Sequence, residues 1–98
     1  EQIRIIPVTD RTLSYADGVL KALRNNGFWA ELDERSEKVG YKIREAQIEK
    51  VPYAVVLGDK DEAAGLVSVR SRKTGETTQM TLEELLQMLH LEEDAKMK

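Results

Sequence analysis

Residues 33–53, DERSEKVGYKIREAQIEKVPY, decide the fold. They read as a strand end, a charged loop, a helix over about 37–50 and the entry to a buried strand. Val39, Ile43 and Ala46 share one helical face, which predicts burial against a sheet. Tyr41 and Ile48 lie nearly opposite, with Arg44 beside them. Pro52 stops the helix and biases Val51 toward extended backbone. The run Tyr53–Leu57 that follows is unbroken and apolar, as a strand covered on both faces requires.

Working outward from that helix and strand, the flanks supply the other layers. Ile3, Ile5, Ile6 and Val8 predict a short buried strand ending near Pro7. Leu13, Ala16, Val19, Leu20 and Leu23 recur at three- and four-residue spacing, an amphipathic helix closed by Asn25-Asn26-Gly27. Phe28–Leu32 reads as a second strand, with Trp29 partly exposed on it. Downstream, 58–65 reads as a polar loop, Leu66–Arg72 alternates with period two, and Thr74-Gly75 turns into a fifth strand over 76–80. Thr81 and Glu84 form a capping box ahead of the stripe Leu82, Leu85, Leu86, Leu89. Residues 1–91 make one domain, and 92–98 is expected to fray. The order β-α-β-α-β-β-β-α gives an α/β three-layer sandwich with one mixed sheet and three helices.

Composition narrows the function classes. The chain has 98 residues, 41% hydrophobic and 34% charged, which suits one soluble domain. No apolar run approaches the ~20 residues of a membrane span. The absence of cysteine excludes disulfides and cysteine-based zinc sites and fits a reducing cytosol. The chain opens at Glu1, without Met and close to a strand, as expected of a piece of a longer protein or of a processed one. A net charge of −3 argues against an autonomous duplex binder. The charge is uneven, however: 66–75 holds Arg70, Arg72 and Lys73 with no acid. Such a domain suits the reading of a few exposed bases while other parts of a larger protein grip the phosphates.

Catalytic constellations are scarce. There is no phosphate-binding glycine loop, and His90 has no second histidine to pair with; near a helix C-terminus it reads as a dipole-favoured polar residue. Asp10 and Asp59 follow strand ends, where bacterial receiver domains carry their phosphoacceptor and metal-binding acids. Here Asp10 follows Thr9 rather than another acid, and 66–80 reads as a hairpin instead of further βα units. Clearer chemistry lies in the fourth strand. Alternation sets Val67 and Val69 on one face and Ser68, Arg70 and Arg72 on the other, a row of forked donors. Arginine can contact guanine O6 and N7 with two hydrogen bonds, and unstacked loop bases expose those edges. From spacing alone, a solvated outer face is an equal reading. Arg72, Lys38 and Lys42 are candidate phosphate contacts, against the plainer reading of Lys38 and Lys42 as solvated helix lysines.

The wording G-Y-K-I-R-E-A-Q at 40–47 and K-V-P-Y at 50–53, with I-P-V-T-D-R at 6–11, G-D-K at 58–60 and V-S-V-R-S-R at 67–72, covers nearly the whole chain. It resembles the anticodon-binding domain of class II aminoacyl-tRNA synthetases, and within them the C-terminal domain of bacterial threonyl-tRNA synthetases. That resemblance implies a five-stranded mixed sheet with one antiparallel strand. It implies anticodon contacts at Arg70, Arg44, Ser36 and Asp61. Ser36 stands where the family has Asn in R-N-E-K, and Asp61 where it has Glu after G-D-K, so both side chains are shorter. The partners implied are the anticodon loop of tRNA(Thr) and the catalytic domain of a cytoplasmic, homodimeric ligase that joins threonine to tRNA with ATP, Mg and Zn. The domain itself is expected to be a non-catalytic monomer needing no cofactor or metal. Alternatives are the related domain of a prolyl, histidyl or glycyl synthetase, against which K-I-R-E-A-Q and K-V-P-Y argue, or a non-catalytic interaction module reusing the fold, as in the accessory subunit of mitochondrial DNA polymerase.

Overall fold

The computed structural model describes residues 2–96, with side chains through Glu93. The chain runs β1 (Ile3–Pro7), a 3-10 turn (Asp10–Thr12), α1 (Leu13–Asn25), β2 (Ala30–Leu32), α2 (Val39–Ile48), β3 (Tyr53–Leu57), α3 (Asp59–Ala64), β4 (Leu66–Ser71), β5 (Thr77–Thr81) and α4 (Leu82–Lys96). Five strands form one sheet in the order β2-β1-β3-β4-β5. β1 pairs in parallel with both β2 and β3, and β4 runs against β3 and β5. The mixed sheet with a single reversed strand is the one expected.

Strand alternation divides the core. Ile3 and Ile5 of β1, Val55 and Leu57 of β3, and Val67 and Val69 of β4 point to one side. There Ala16, Val19, Leu20 and Leu23 of α1 and Leu85 and Leu89 of α4 pack on them. On the other side lie Arg4, Ala54, Ser68 and Arg70, and α2 covers only part of this face, sitting over β1 and Ala54. The sandwich is therefore three layers deep over the parallel strands and open on one face over the β4–β5 hairpin. The capping box of α4 forms as read: Thr81 Oγ1 accepts the Glu84 N–H at 3.1 Å, and Glu84 Oε1 accepts the Thr81 N–H at 3.0 Å.

Four expectations need correction. The stretch 58–65 is not a loop: it holds α3, which ends where Gly65 takes φ +68, a left-handed geometry favouring glycine. The fold thus has four α-helices, not three. Phe28 is not a strand residue but a buried cap, its N–H donating to Leu23 O at 3.0 Å and its ring 4.8 Å from that of His90. Trp29, just ahead of β2, is 61% exposed. Helical backbone also continues through 92–96, while positions 97–98 of the expected tail lie outside the described residues.

The fourth correction concerns Lys42, which is not a solvated lysine. It is 3% exposed, and its Nζ donates to Asp33 O at 3.1 Å and lies 4.0 Å from Asp33 Oδ1. The helical period explains this, since Lys42 falls three residues after Val39 and four before Ala46, on the inward stripe. Asp33 also receives Arg35 Nε at 2.9 Å and a terminal guanidinium nitrogen at 2.8 Å. A buried carboxylate at the end of β2 thus fastens α2 to the sheet. At its far end α2 stops when Lys50 adopts φ +62 and the Val51 N–H bonds back to Ala46 O at 2.9 Å.

The Arg35 hydrogen bonds hold the Asp33 carboxyl below its ordinary value, outweighing the upward push of burial. A depressed carboxylate contributes stability above its unfolded value, about 4, and loses it as pH falls through the lower folded value. Stability should therefore drop on acidification below about pH 4, and less steeply in Asp33→Asn. Asp33→Ala should cost about 3–5 kcal/mol, because it removes the carboxylate charge beside the buried Lys42 ammonium and leaves it the backbone carbonyl alone. Adding Lys42→Met to that variant should recover most of the loss. Urea unfolding of the two variants checks this, and no recovery in the double variant would overturn it.

Candidate nucleic-acid interface

The open half of the sheet is a floor with defined walls. By register Ser68 lies opposite Gln79, and Arg70 opposite Thr77. Gln79 and Thr77 are exposed and Ser68 and Arg70 half-buried. The inner edge of α2 forms one wall, where Ile43, Ala46 and Gln47 meet Val51, Ala54, Arg70 and Arg72 in a narrow crevice. The upper end is closed by Asp61 of α3.

Arg70 takes the face that alternation assigned to it, but not as a freely solvated side chain. Its stem enters the crevice beside α2, and its Nε is buried with no hydrogen-bond partner. A buried donor without an acceptor is costly, and among the described residues no carboxylate pairs with the guanidinium at the edge of the floor. Arg72 lies just past the end of β4, exposed, with Nε donating to Gln47 O at 3.1 Å. The Lys50 N–H bonds to the same carbonyl, also at 3.1 Å. Arg72 is thereby held at the end of α2, where it lines the same crevice as Arg70, and Lys50 supplies an exposed cation at that helix end. Lys50 was not singled out in the sequence; the signal available was its place between a helix and V-P, where a left-handed residue ends the helix.

The remaining candidates are dispersed. Arg44 stands two residues from buried Lys42 and from buried Ala46, which turns it outward with Tyr41 and Ile48, 52% and 72% exposed. Arg44 lies next to Ile43 and three residues before Gln47, both of which line the crevice holding Arg70. Ser36 and Lys38 are exposed in the loop before α2, lining a surface cleft with Val8, Asp10 and Arg35. Lys42 lines the same cleft, but its ammonium is held by Asp33, so the structure argues against its role as a phosphate contact. Asp59 is paired on the surface with Arg11 at 2.8 Å, and the chain continues into the hairpin, not into a further receiver unit.

Asp61 is only 8% exposed, and its acceptors are taken. Oδ2 accepts the Gly58 N–H at 2.9 Å; Oδ1 accepts Ser68 Oγ at 2.8 Å and Gln79 Nε2 at 3.1 Å. Burial pushes this carboxyl up, but the Gly58, Ser68 and Gln79 hydrogen bonds together bring it below its ordinary value. It is ionised at neutral pH and braces α3 against both strands of the hairpin. Among the described residues, no cluster of three or more His, Cys, Asp or Glu is placed to hold a metal ion. No described helix is long and apolar enough to cross a membrane.

A family model described as the anticodon binding domain matches residues 2–91. The chain belongs to that family. Among curated relatives, a threonine–tRNA ligase of Clostridium botulinum is 47% identical over 88 residues, covering 90% of this chain and 14% of the relative. One of Clostridioides difficile is 44% identical over 95 residues, covering 97% of this chain and 15% of the relative. The chain thus spans about a seventh of the length of these ligases. Among solved structures, the RNA binding domain of threonyl-tRNA synthetase from Cryptosporidium parvum Iowa II superposes with a TM-score of 0.86 at 27% identity, covering 90% of this chain and 22% of that one.

Within this anticodon-binding domain, Asp61→Asn should be informative. An asparagine there must turn its amino group toward at least one of the three donors that Asp61 accepts. We expect a loss of about 1–3 kcal/mol in urea unfolding, with altered amide resonances for Gly58 and Ser68. Unchanged stability and an unchanged spectrum would show that Asp61 is not the brace.

Proposed function

We propose that this domain reads the anticodon loop of tRNA(Thr) within a cytoplasmic threonine–tRNA ligase, whose catalytic residues lie outside it. The observation that carries the reading is the open β4–β5 floor, with the Arg70 guanidinium at its edge, in a domain 47% identical to part of a threonine–tRNA ligase. Threonine anticodons carry G at the middle position, and guanine O6 and N7 match an arginine fork. Arg72 beside it supplies charge for an adjoining phosphate. Ser36 and Arg44, being exposed, serve flanking loop nucleotides. ATP, Mg and Zn belong to the rest of the ligase, and the domain needs none of them to fold.

The acidic balance, net −3, limits phosphate neutralisation, so the domain contributes discrimination more than affinity. NMR titration of the labelled chain should show weak binding that prefers a threonine anticodon stem-loop over one whose middle base is changed. Arg70→Ala should remove that preference, about 1–3 kcal/mol or roughly ten- to a hundredfold, while keeping cooperative unfolding. Arg70→Lys should not restore it, because an ammonium lacks the planar fork. Threonylation by a ligase carrying the same substitutions should fall in parallel. If Arg70→Ala leaves both preference and threonylation intact, Arg70 does not read the base.

A further inference from the structure

The two edges of the sheet are protected very differently. β2 is three residues long and carries the exposed Glu31, two common ways of blunting an edge strand. β5, at the other edge, runs over five residues, TTQMT, with neither charge nor proline. The ladder fixes which of its backbone groups stay free. The Ser71 N–H bonds to Glu76 O at 3.0 Å, which makes that pair a hydrogen-bonded one. Antiparallel alternation then makes Val69–Thr78 and Val67–Met80 bonded pairs, and it turns the N–H and C=O of Thr77 and Gln79 away from β4. The Thr81 N–H obeys the same parity, since it leaves the ladder to meet Glu84. Thr77 and Gln79 are exposed, and nothing among the described residues meets their outward backbone groups.

We propose that the β5 edge pairs with the β5 edge of a second copy of this chain, antiparallel and centred on Thr78. In that register Thr77 of each copy exchanges hydrogen bonds with Gln79 of the other, so every outward group is met about one two-fold axis. Charge favours this occupant. By the same count Gly75 falls opposite Thr81 of the second copy, which brings each hairpin turn alongside the start of the other α4. The turn carries Arg72 and Lys73, and the first turn of α4 carries Glu83 and Glu84. Lys73 and Glu83 are exposed and have no ion pair within their own chain among the described residues. The two-fold therefore sets up two opposite-charge contacts, whereas a parallel approach would put turn beside turn and acid beside acid. Directly opposed residues share a face, so the two five-stranded sheets join with both Arg70 floors on one side. A pairing of five residues buries far less than the roughly 1,200 Å² of a stable interface. The association is weak, and the domain that the sequence led us to expect as a monomer is one when dilute. This surface stands independently of the anticodon reading.

Sedimentation velocity and NMR of the labelled chain over a concentration series test the pairing. The sedimentation coefficient should rise with concentration. The Thr77 and Gln79 backbone amides should shift more than those of Thr78 and Met80, which are bonded within the chain. Thr77→Pro removes one outward N–H at the first residue of an edge strand, where proline is tolerated, and should abolish association. Lys73→Glu or Glu83→Lys should weaken it about tenfold, because each reverses two surface contacts. The two substitutions together in one chain should restore it, since the swap re-forms both contacts across the two-fold. A folding defect in a single variant would give no such rescue. A constant sedimentation coefficient and constant amide shifts up to the highest attainable concentration would overturn the inference. Association that survives Thr77→Pro would place the contact elsewhere and overturn it too. A charge swap that restores nothing would rule out the two-fold register.

Discussion

The contact between Asp33 and Lys42 sets the geometry on which the rest of the molecule depends. A charged pair in a small core is tolerated only when each member is fully engaged. Here the Asp33 carboxylate accepts two hydrogen bonds from Arg35, and Lys42 donates to the Asp33 backbone carbonyl with its ammonium 4.0 Å from the carboxylate. The pair joins the end of a three-residue edge strand to the second turn of α2. An apolar contact would let the helix slide, because hydrophobic attraction is not directional. A hydrogen-bonded charge pair has one good arrangement. Fixing α2 over β1 leaves the adjoining hairpin uncovered, and that uncovered hairpin is the interface proposed above.

A second buried carboxylate, Asp61, repeats the device at the opposite side of that floor. It ties the N-terminal turn of α3 to Ser68 on β4 and Gln79 on β5. The hairpin is thus held by its backbone ladder and by a side-chain brace on its exposed face. This matters for recognition because polar side chains on an open sheet otherwise sample several rotamers, and ordering them on binding costs free energy. Gln79 is already ordered in the free domain. Arg70 is constrained differently, with its aliphatic stem between sheet and helix. The interface is therefore largely pre-organised, which favours selectivity over raw affinity.

Much of the fold was legible because its elements are long and periodic. The inward stripe of α1, the apolar run of β3 and the Thr81–Glu84 box each carry a local signature that tertiary contacts reinforce. The misses have local causes. α3 is six residues long, too short for an apolar stripe to repeat, though Gly58 and Gly65 bracket it and acids fill its first turn. Lys42 obeyed the helical period, yet its residue type argued for solvent; the deciding partner lay nine residues back, in a loop. Phe28 has strand-like chemistry but caps a helix, since β2 pairs only over Ile3–Ile5 of β1. At the site, alternation found Arg70. Arg44, Ser36 and Asp61 rested on resemblance; the first two are exposed, and the third is hydrogen-bonded inside the fold. Gln79 carries no charge and belongs to no motif, so only its contacts reveal it.

Lys50 has a consequence of another kind. Its φ of +62 lies in the left-handed region, where a residue with a Cβ sits about 1 kcal/mol or more above glycine. Glycine would close α2 at less cost, as it closes α1 at Gly27 and α3 at Gly65. The chain instead keeps an exposed cation there, at the helix end where Arg72 bonds the Gln47 carbonyl. A stabilising engineer would choose glycine at this position first. The gain in melting temperature would come with one positive charge fewer at the end of α2, so at Lys50 thermal robustness and grip on a polyanion pull in opposite directions.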